Sequence, residues 1–246
     1  MDDIINTHPP YDFIQGALLP VDKPLEWTSF DVVNKIKYKL KQTLQVKKIK
    51  VGHSGTLDPL ATGLLLVAAG PMTKKLKYLT DMDKVYSGTI QLGSSTPSFD
   101  KETEIDTRYP TNHITFDLIE ENLEKFTGEI EQEVPRFSAV RVKGKRLYHY
   151  ARKSEQVVAP RRKVEIKSFE CLNFDPSEYT MDFRVRCSKG TYIRSLAHDF
   201  GQYLNSGGHL SRLKREKIGP YSLSEAHSLN DLLDLIEKSA VIKRDD

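Results

Sequence analysis

The residues Gly52-His53-Ser54-Gly55-Thr56-Leu57-Asp58-Pro59-Leu60-Ala61-Thr62-Gly63 are the stretch of this chain best suited to chemistry. Pro59 excludes the helical region at Asp58 and holds that residue extended. Gly55 and Gly63 permit tight backbone turns on either side. The expected product is a lone carboxylate on a shaped loop that a ligand can approach closely, although Asp-Pro is also an ordinary turn dipeptide. A second segment, Cys187-Ser188-Lys189-Gly190-Thr191-Tyr192-Ile193-Arg194, ends a strand, turns at Gly190 and starts a helix with Thr191 as the expected cap. Arg194 then falls in the first turn, where the helix dipole disfavours a cation, so a specific anionic partner is expected. If the fold brings them together, Asp58 and Arg194 form a charge couple.

Other chemistries fit poorly. A nucleophile elbow, G-x-S-x-G, fails because Thr56 stands where its last Gly belongs, and no Walker phosphate loop occurs. The seven His are scattered, and Cys171 and Cys187 form no CxxC pair, so no metal site is expected. The N-terminus carries no basic–apolar signal pattern, and no apolar run is long enough to span a bilayer. A cytoplasmic protein with no membrane association is the expectation.

Charge is distributed unevenly behind a formal net of +3. From Asp100 to Glu133 there are 11 acidic and 3 basic residues, a net of −8; from Arg136 to Lys167 there are 11 basic and 2 acidic, a net of +9. Smaller basic clusters lie at Lys47, Lys48 and Lys50, at Lys74, Lys75 and Lys77, and at Arg212, Lys214, Arg215 and Lys217. Tyr148, His149 and Tyr150 are interleaved with the main block. Clustered cations with aromatics suit a polyanion with exposed bases. The acidic stretch is expected to face away from it.

These segments need elements to position them. Residues 1–16 read as a loosely attached N-terminal extension, and 17–246 as the remaining domain. Strands are expected at Ala17 to Val21, Leu64 to Ala69, Val85 to Leu92, Phe137 to Val142, Leu147 onward (after a Lys143-Gly144-Lys145 turn) and Val164 to Cys171. The alternation of Tyr179, Met181, Phe183, Val185 and Cys187 with polar residues is the clearest strand signal. Helical faces are expected at Phe30, Val33, Ile36 and Leu40, capped by Thr28 or Ser29; at Met72, Leu76 and Leu79; at Phe116, Ile119, Leu123 and Phe126; and at Ile193, Leu196, Ala197, Phe200 and Leu204, with a last helix near Asn230 to Lys238. Strands outnumber helices without alternating with them. An α+β fold with a mixed, largely antiparallel sheet follows.

The 52–63 stretch closely resembles the catalytic-Asp signature of the TruB family, the tRNA pseudouridine-55 synthases. Lys189 to Arg194 resembles that family's Arg-bearing motif. Val21-Asp22-Lys23-Pro24 with Thr28-Ser29, Ser138-Ala139-Val140 with Gly144 to Tyr148, and Leu210 to Leu213 with Ile218 to Tyr221 resemble its opening, middle and closing motifs. The five resemblances occur in order over about residues 17 to 226.

The resemblance implies a pseudouridine synthase fold that isomerises a T-loop uridine of tRNA without cofactor, metal or guide RNA, as an expected monomer. Asp58 would be the nucleophile, attacking either C6 of the base or C1′ of the sugar. Arg194 would pair with and orient it, and Tyr86 would stack on the target base. The base must leave its stack to react: His53 would enter the space left behind, while Tyr192 and Leu213 would line the uracil pocket. Lys23, Asp100, Arg141, Lys143, Lys145 and Arg146 would contact the RNA, with the Arg136–Lys167 block as the leading phosphate surface. The chain departs from the family pattern at Glu26-Trp27, where a Gly often stands, at Phe137, which replaces a Tyr, and in a divergent Ser95-to-Asp100 segment. Its end at Asp246 leaves no room for the C-terminal PUA domain of many relatives. The alternative is a tRNA-folding chaperone on the T-arm, with isomerisation secondary.

Overall fold

In the computed structural model, residues 7–153, 155 and 157–242 are described. The first half of the chain forms β1 (Ala17–Lys23), α1 (Ser29–Thr43), β2 (Val51–His53), β3 (Ala61–Ala69), α2 (Leu76–Asp81), β4 (Lys84–Leu92), β5 (Ser94–Ser95), β6 (Thr107–Arg108), α3 (Phe116–Leu123) and β7 (Gly128–Glu133). The second half forms β8 (Arg141–Val142), β9 (Lys145–Arg146), α4 (Leu147–Arg152), β10 (Arg161–Asp175), β11 (Thr180–Cys187), α5 (Ile193–Tyr203), β12 (Gly208–Ile218), β13 (Tyr221–Ser222), β14 (His227–Ser228) and α6 (Leu229–Ile242). The α+β class is as expected. Two compact units result: residues up to Lys84 with those from Lys214 onward, and Val85–Leu213.

The first unit is built on β3. This strand pairs antiparallel with β1, from Ala17↔Ala69 to Lys23↔Gly63, and its end also pairs with β2 at Val51↔Ala69. β14 adds parallel to β1 at Val21↔His227. The Leu64 to Ala69 run is apolar because both faces of β3 are covered. Leu65, Val67 and Ala69 pack with Val32, Val33, Ile36 and Leu40 of α1 and Leu232 and Ile236 of α6, while Leu64, Leu66 and Ala68 pack with Leu79, Ile218 and Tyr221. Thr28 caps α1 in a reciprocal box with Asp31. Phe30 corrects the expected face: it is 66% exposed, off the side of the stripe made by residues 32, 33, 36 and 40.

Part of the expected loose extension is anchored in this unit. Phe13 is 2% exposed within the core, and the Tyr11 ring packs edge-on to His227. Residues 1–6 of that extension lie outside the described residues.

In the second unit the strand order is β4, β11, β10, β7. β11 shows the expected period of two: Met181, Phe183, Val185 and Cys187 are buried. Phe169 of β10 meets Phe183 and Phe200 edge-on, and Phe126 meets Phe200 likewise. Leu147 onward is a helix rather than the expected strand. Val140 and Ser138 carbonyls accept from the Leu147 and Tyr148 amides as the chain turns into α4. The turn itself is Lys143-Gly144, both at positive φ (49° and 83°), closing a two-residue hairpin of the tight, primed kind. The eleven-residue strand β12 has no counterpart among the expected elements, because its charged residues interrupt the apolar alternation.

Candidate active site

The Asp58 loop joins β2 to β3 within the first unit, and it is fastened through its backbone. Asp58 to Ala61 is a turn, with the Ala61 amide donating to the Asp58 carbonyl at 3.0 Å. The Ser29 hydroxyl donates to the Leu57 carbonyl (3.2 Å) and accepts from the Leu57 amide (2.9 Å). Lys23 Nζ donates to Pro24 O (2.8 Å), Trp27 O (2.6 Å) and, at 3.4 Å, Pro59 O. Arg215 Nε donates to Leu64 O at 2.7 Å and a terminal nitrogen to Gly55 O at 3.1 Å. Every second residue of the loop is thus gripped while Asp58 keeps a half-buried side chain.

Lys23 and Arg215 are 0% and 1% exposed, so both charges are held on carbonyl dipoles inside the protein. Burial pulls Lys23 down to about 8, with Arg215 adding to the fall and Asp58 and Asp22 opposing it. Lys23 therefore lies in the electrostatic reach of the candidate nucleophile. It was expected on the RNA surface; enclosed on three carbonyls, it offers no face to a phosphate. Arg215 likewise leaves the basic surface cluster to which it was assigned. It is missed from composition, but its spacing two residues after Leu213 on a strand puts both on one face. At the start of the loop, burial and then Arg215 lower His53, against a backbone bond at Gly55, which keeps its imidazole neutral near pH 7. Glu26, in the family's frequent Gly position, adopts φ 66° and donates its amide to Pro59 O at 2.9 Å. That left-handed conformation is one glycine adopts at little steric cost.

In the second unit, Arg194 opens α5 at 3% exposure. Its terminal nitrogens donate to Ser98 O (3.2 Å) and Phe137 O (3.0 Å), and Nε lies 3.6 Å from Asp100 Oδ2. The expected anionic partner within this unit is Asp100, itself 5% exposed. Asp100 is accordingly an internal anchor rather than an RNA contact, as had been expected. Phe137 serves through its carbonyl, so the hydroxyl missing from its ring costs Arg194 nothing.

Thr191 does not cap α5; its hydroxyl donates to Ser188 O. Gln132 of β7, 0% exposed, takes over: its carbonyl accepts from the Tyr192 amide (3.0 Å) and its NH2 donates to Tyr192 O (3.2 Å). Arg162 lies over the Tyr192 ring at 5.1 Å. Gln132 was missed because nothing in sequence marks an alternating strand residue as the partner of a backbone sixty positions away. Tyr86 (8% exposed, β4) and Leu213 (7%, β12) are buried.

The basic hairpin is of a different kind. Arg141 and Arg146 pair directly across it, as do Val142 and Lys145, and all three cations are exposed at its surface with Lys143 at the tip. Like charges opposite one another are unfavourable without an anion between them. Arg146 and Arg152 lie 5.9 and 5.5 Å from the Tyr148 ring centre. The far end of the basic block is balanced instead: Lys163 pairs with Glu129 and Arg161 with Glu131 across β10 and β7. Part of the acidic 100–133 stretch therefore pairs with the basic block expected to hold phosphate.

Two family patterns cover most of the chain: TruB family pseudouridylate synthase (N terminal domain) over residues 41–193, and tRNA pseudouridylate synthase B C-terminal domain over residues 194–244. The chain belongs to the TruB family. A relative named tRNA pseudouridine synthase B from Flavobacterium johnsoniae is 51% identical over 88% of this chain and 94% of its own length. One of the same name from Parabacteroides distasonis is 50% identical over 94% and 97%. Among solved structures, a Cbf5-Nop10-Gar1 complex contains a chain 28% identical, with a TM-score of 0.67, matched over 95% of this chain and 61% of its own length. An H/ACA RNP bound to a substrate RNA containing 2′-deoxyuridine contains another at 28% and 0.64, matched over 95% of this chain and 60% of its own. The fold is thus shared with pseudouridine synthases, as expected. No described helix is long and apolar enough to cross a membrane, and no three metal-ligating side chains cluster among the described residues.

Proposed function

We propose that this TruB-family protein isomerises a T-arm uridine of tRNA to pseudouridine, with Asp58 as nucleophile. The observation that carries the reading is the Asp58 loop: four of its carbonyls are fastened, two of them by fully buried cations, and the half-buried Asp58 carboxylate sits on that fixed backbone. A nucleophile held by its backbone reaches the reacting atom with little entropy left to lose. An Asp58 carboxylate oxygen bonds to C6 of the base or C1′ of the sugar, the C1′–N1 bond breaks, the base turns and C1′–C5 forms; the bond to Asp58 then breaks to return the carboxylate, and the proton leaving C5 is balanced by one gained at N1. Composition and oxidation state do not change, so no cofactor is required.

Arg194, immobilised by Asp100 and two carbonyls, is the cation for the developing charge. Tyr86, Tyr192 and Leu213 supply the surfaces for the everted base, and neutral His53 the group that takes its place in the stack. The hairpin cations Arg141, Lys143, Lys145 and Arg146 take phosphates, with the nearby tyrosines available for stacking. The setting is the cytoplasm, where unmodified tRNA is met.

Pseudouridine mapping on one bare, unmodified tRNA transcript tests the reading. The protein is expected to modify a single T-loop uridine without added guide RNA. Asp58→Asn is expected to abolish product while binding tRNA within about threefold of the parent. Product from Asp58→Asn at the parental rate would overturn the nucleophile assignment, and no product from the parent would overturn the function.

A further inference from the structure

Two anchors of Arg194, the Ser98 carbonyl and the Asp100 carboxylate, flank one backbone pivot, Phe99. Phe99 stands at φ 64°, a left-handed conformation that a residue with a Cβ keeps only where its surroundings over-determine it. Its amide donates to Thr96 O (3.1 Å) and its carbonyl accepts from the Leu210 amide (2.9 Å). Around it, the Thr96 and Ser98 hydroxyls both donate to Asp100 O, and the Glu102 amide donates to Asp100 Oδ1. These bonds fix the ends of the turn. What fixes the Phe99 side chain is His198 of α5: the two rings stack with centroids 3.9 Å apart and planes 17° from parallel.

His198 is one helical turn beyond Arg194 on α5, so the helix that carries the guanidinium also carries the ring that holds its anchors. The imidazole Nδ1 is buried with no hydrogen-bond partner among the described residues, and the Gly208 backbone lies near enough to favour the charged form of the ring. The flat face of the ring makes the specific contact, the stack on Phe99. Burial lowers the imidazole below its ordinary value, against the Gly208 backbone and Asp106, so the stacked ring is neutral near pH 7.

We propose that His198 is a positioning residue for the isomerisation: by stacking on Phe99 it locks the 96–100 turn in the one form that presents both Ser98 O and Asp100 to Arg194. Without the stack the strained residue relaxes toward negative φ, and the two anchors on either side of it rotate apart. Phe137 O remains, so Arg194 is loosened rather than released. The inference rests on Arg194 acting in the proposed reaction.

The test is steady-state kinetics on a tRNA transcript, paired with the 15N-edited Nε–H signal of Arg194, identified by its loss in Arg194→Lys. His198→Ala is expected to lower kcat about tenfold with KM for tRNA within about twofold, because only the geometry at the reacting centre changes. His198→Phe keeps an aromatic ring, loses the ring nitrogens and is expected to recover most of that loss. Phe99→Ala is expected to match His198→Ala, and the double variant to be no worse than either, since both remove one interaction. Should His198→Ala not fold, His198→Leu fills the volume without an aromatic ring and is expected to show the same loss. Parental kcat in His198→Ala or His198→Leu, or a His198→Phe as slow as they are, overturns the proposal. If the parent protein itself makes no pseudouridine, the functional reading falls, and the Arg194 signal decides alone. Sharp in parent and His198→Phe but broadened in His198→Ala, it supports the positioning role; identical in all three, it rejects it.

Discussion

Asp199, the neighbour of His198 on α5, shows what burial costs a single carboxyl. Burial raises it from 3.8 to about 6, Glu133 adds to the rise, and Arg161 opposes it. The folded state therefore holds this proton more tightly than the unfolded chain does. Between about pH 4 and pH 6 the folded protein binds more protons, and stability from this group is lost as pH rises through that window. Asp199→Asn should stabilise the protein at pH 7 by about 1–2 kcal/mol, after allowing for the partial exposure of the site, and by almost nothing at pH 4. Urea denaturation at the two pH values measures this; an equal gain at both would show that charge burial is not the cause. At this scale, Asp58 and Arg194 stood out in sequence because Pro59 and the first-turn position each impose a local constraint. Lys23, Asp100 and Arg215 were misplaced at the surface, because a charged side chain carries no sequence mark of the carbonyls or the ion partner that permit its burial.

Elements turn those residues into a fastened loop. β12 brings Arg215 to the carbonyls of Leu64 and Gly55, and its backbone runs so close to Gly63 that a Cβ there would lie 2.4 Å from Arg215 O. Replacing Arg215 with Met removes the buried donor shared by the Leu64 and Gly55 carbonyls. A loss of about 2–4 kcal/mol in the urea unfolding free energy is expected, together with a slower isomerisation. Arg215→Lys should not restore either, since one ammonium cannot reproduce the fork across both carbonyls; full restoration by Lys would assign the effect to charge alone. The hairpin makes the opposite use of cations. Changing Arg141, Lys143, Lys145 and Arg146 together to Gln should weaken tRNA binding and reduce the slope of log affinity against log salt by roughly 3. An unchanged slope would remove the hairpin from the RNA surface. β11 and the two-sided β3 were legible from periodicity alone. β12 was not, and Leu147 onward was read as a strand, because short amphipathic runs take their conformation from what they pack against.

Over the whole molecule, the formal net charge of +3 conceals two segments of opposite sign that meet in part. β7 and β10 are antiparallel neighbours with Glu129 on Lys163 and Glu131 on Arg161. Such exposed pairs add little stability; they engage two cations of the basic block, while the four hairpin cations lie exposed. The chemistry proposed is an isomerisation run by side chains, with no change of oxidation state to supply. Pseudouridine formation should therefore proceed at full rate in excess EDTA with monovalent salt supporting the tRNA fold. Loss of activity that returns on adding a divalent cation, with the tRNA fold shown intact, would mean that a metal takes part.

Local sequence determined the loop bearing Asp58, the strand of β11, the capped start of α1 and the ordered motifs by which the chain resembles its family. Each depends on neighbours within a few positions, where steric limits and side-chain period act directly. Tertiary structure alone decided that Lys23 and Arg215 point inward, that Gln132 holds the Tyr192 backbone where α5 begins, that Asp100 and Ser98 hold Arg194, and that Phe99 is strained against His198. Those outcomes join residues between 36 and 160 positions apart. A buried charge or a left-handed phenylalanine is tolerable only when distant groups arrive to compensate it, and local sequence does not encode their arrival.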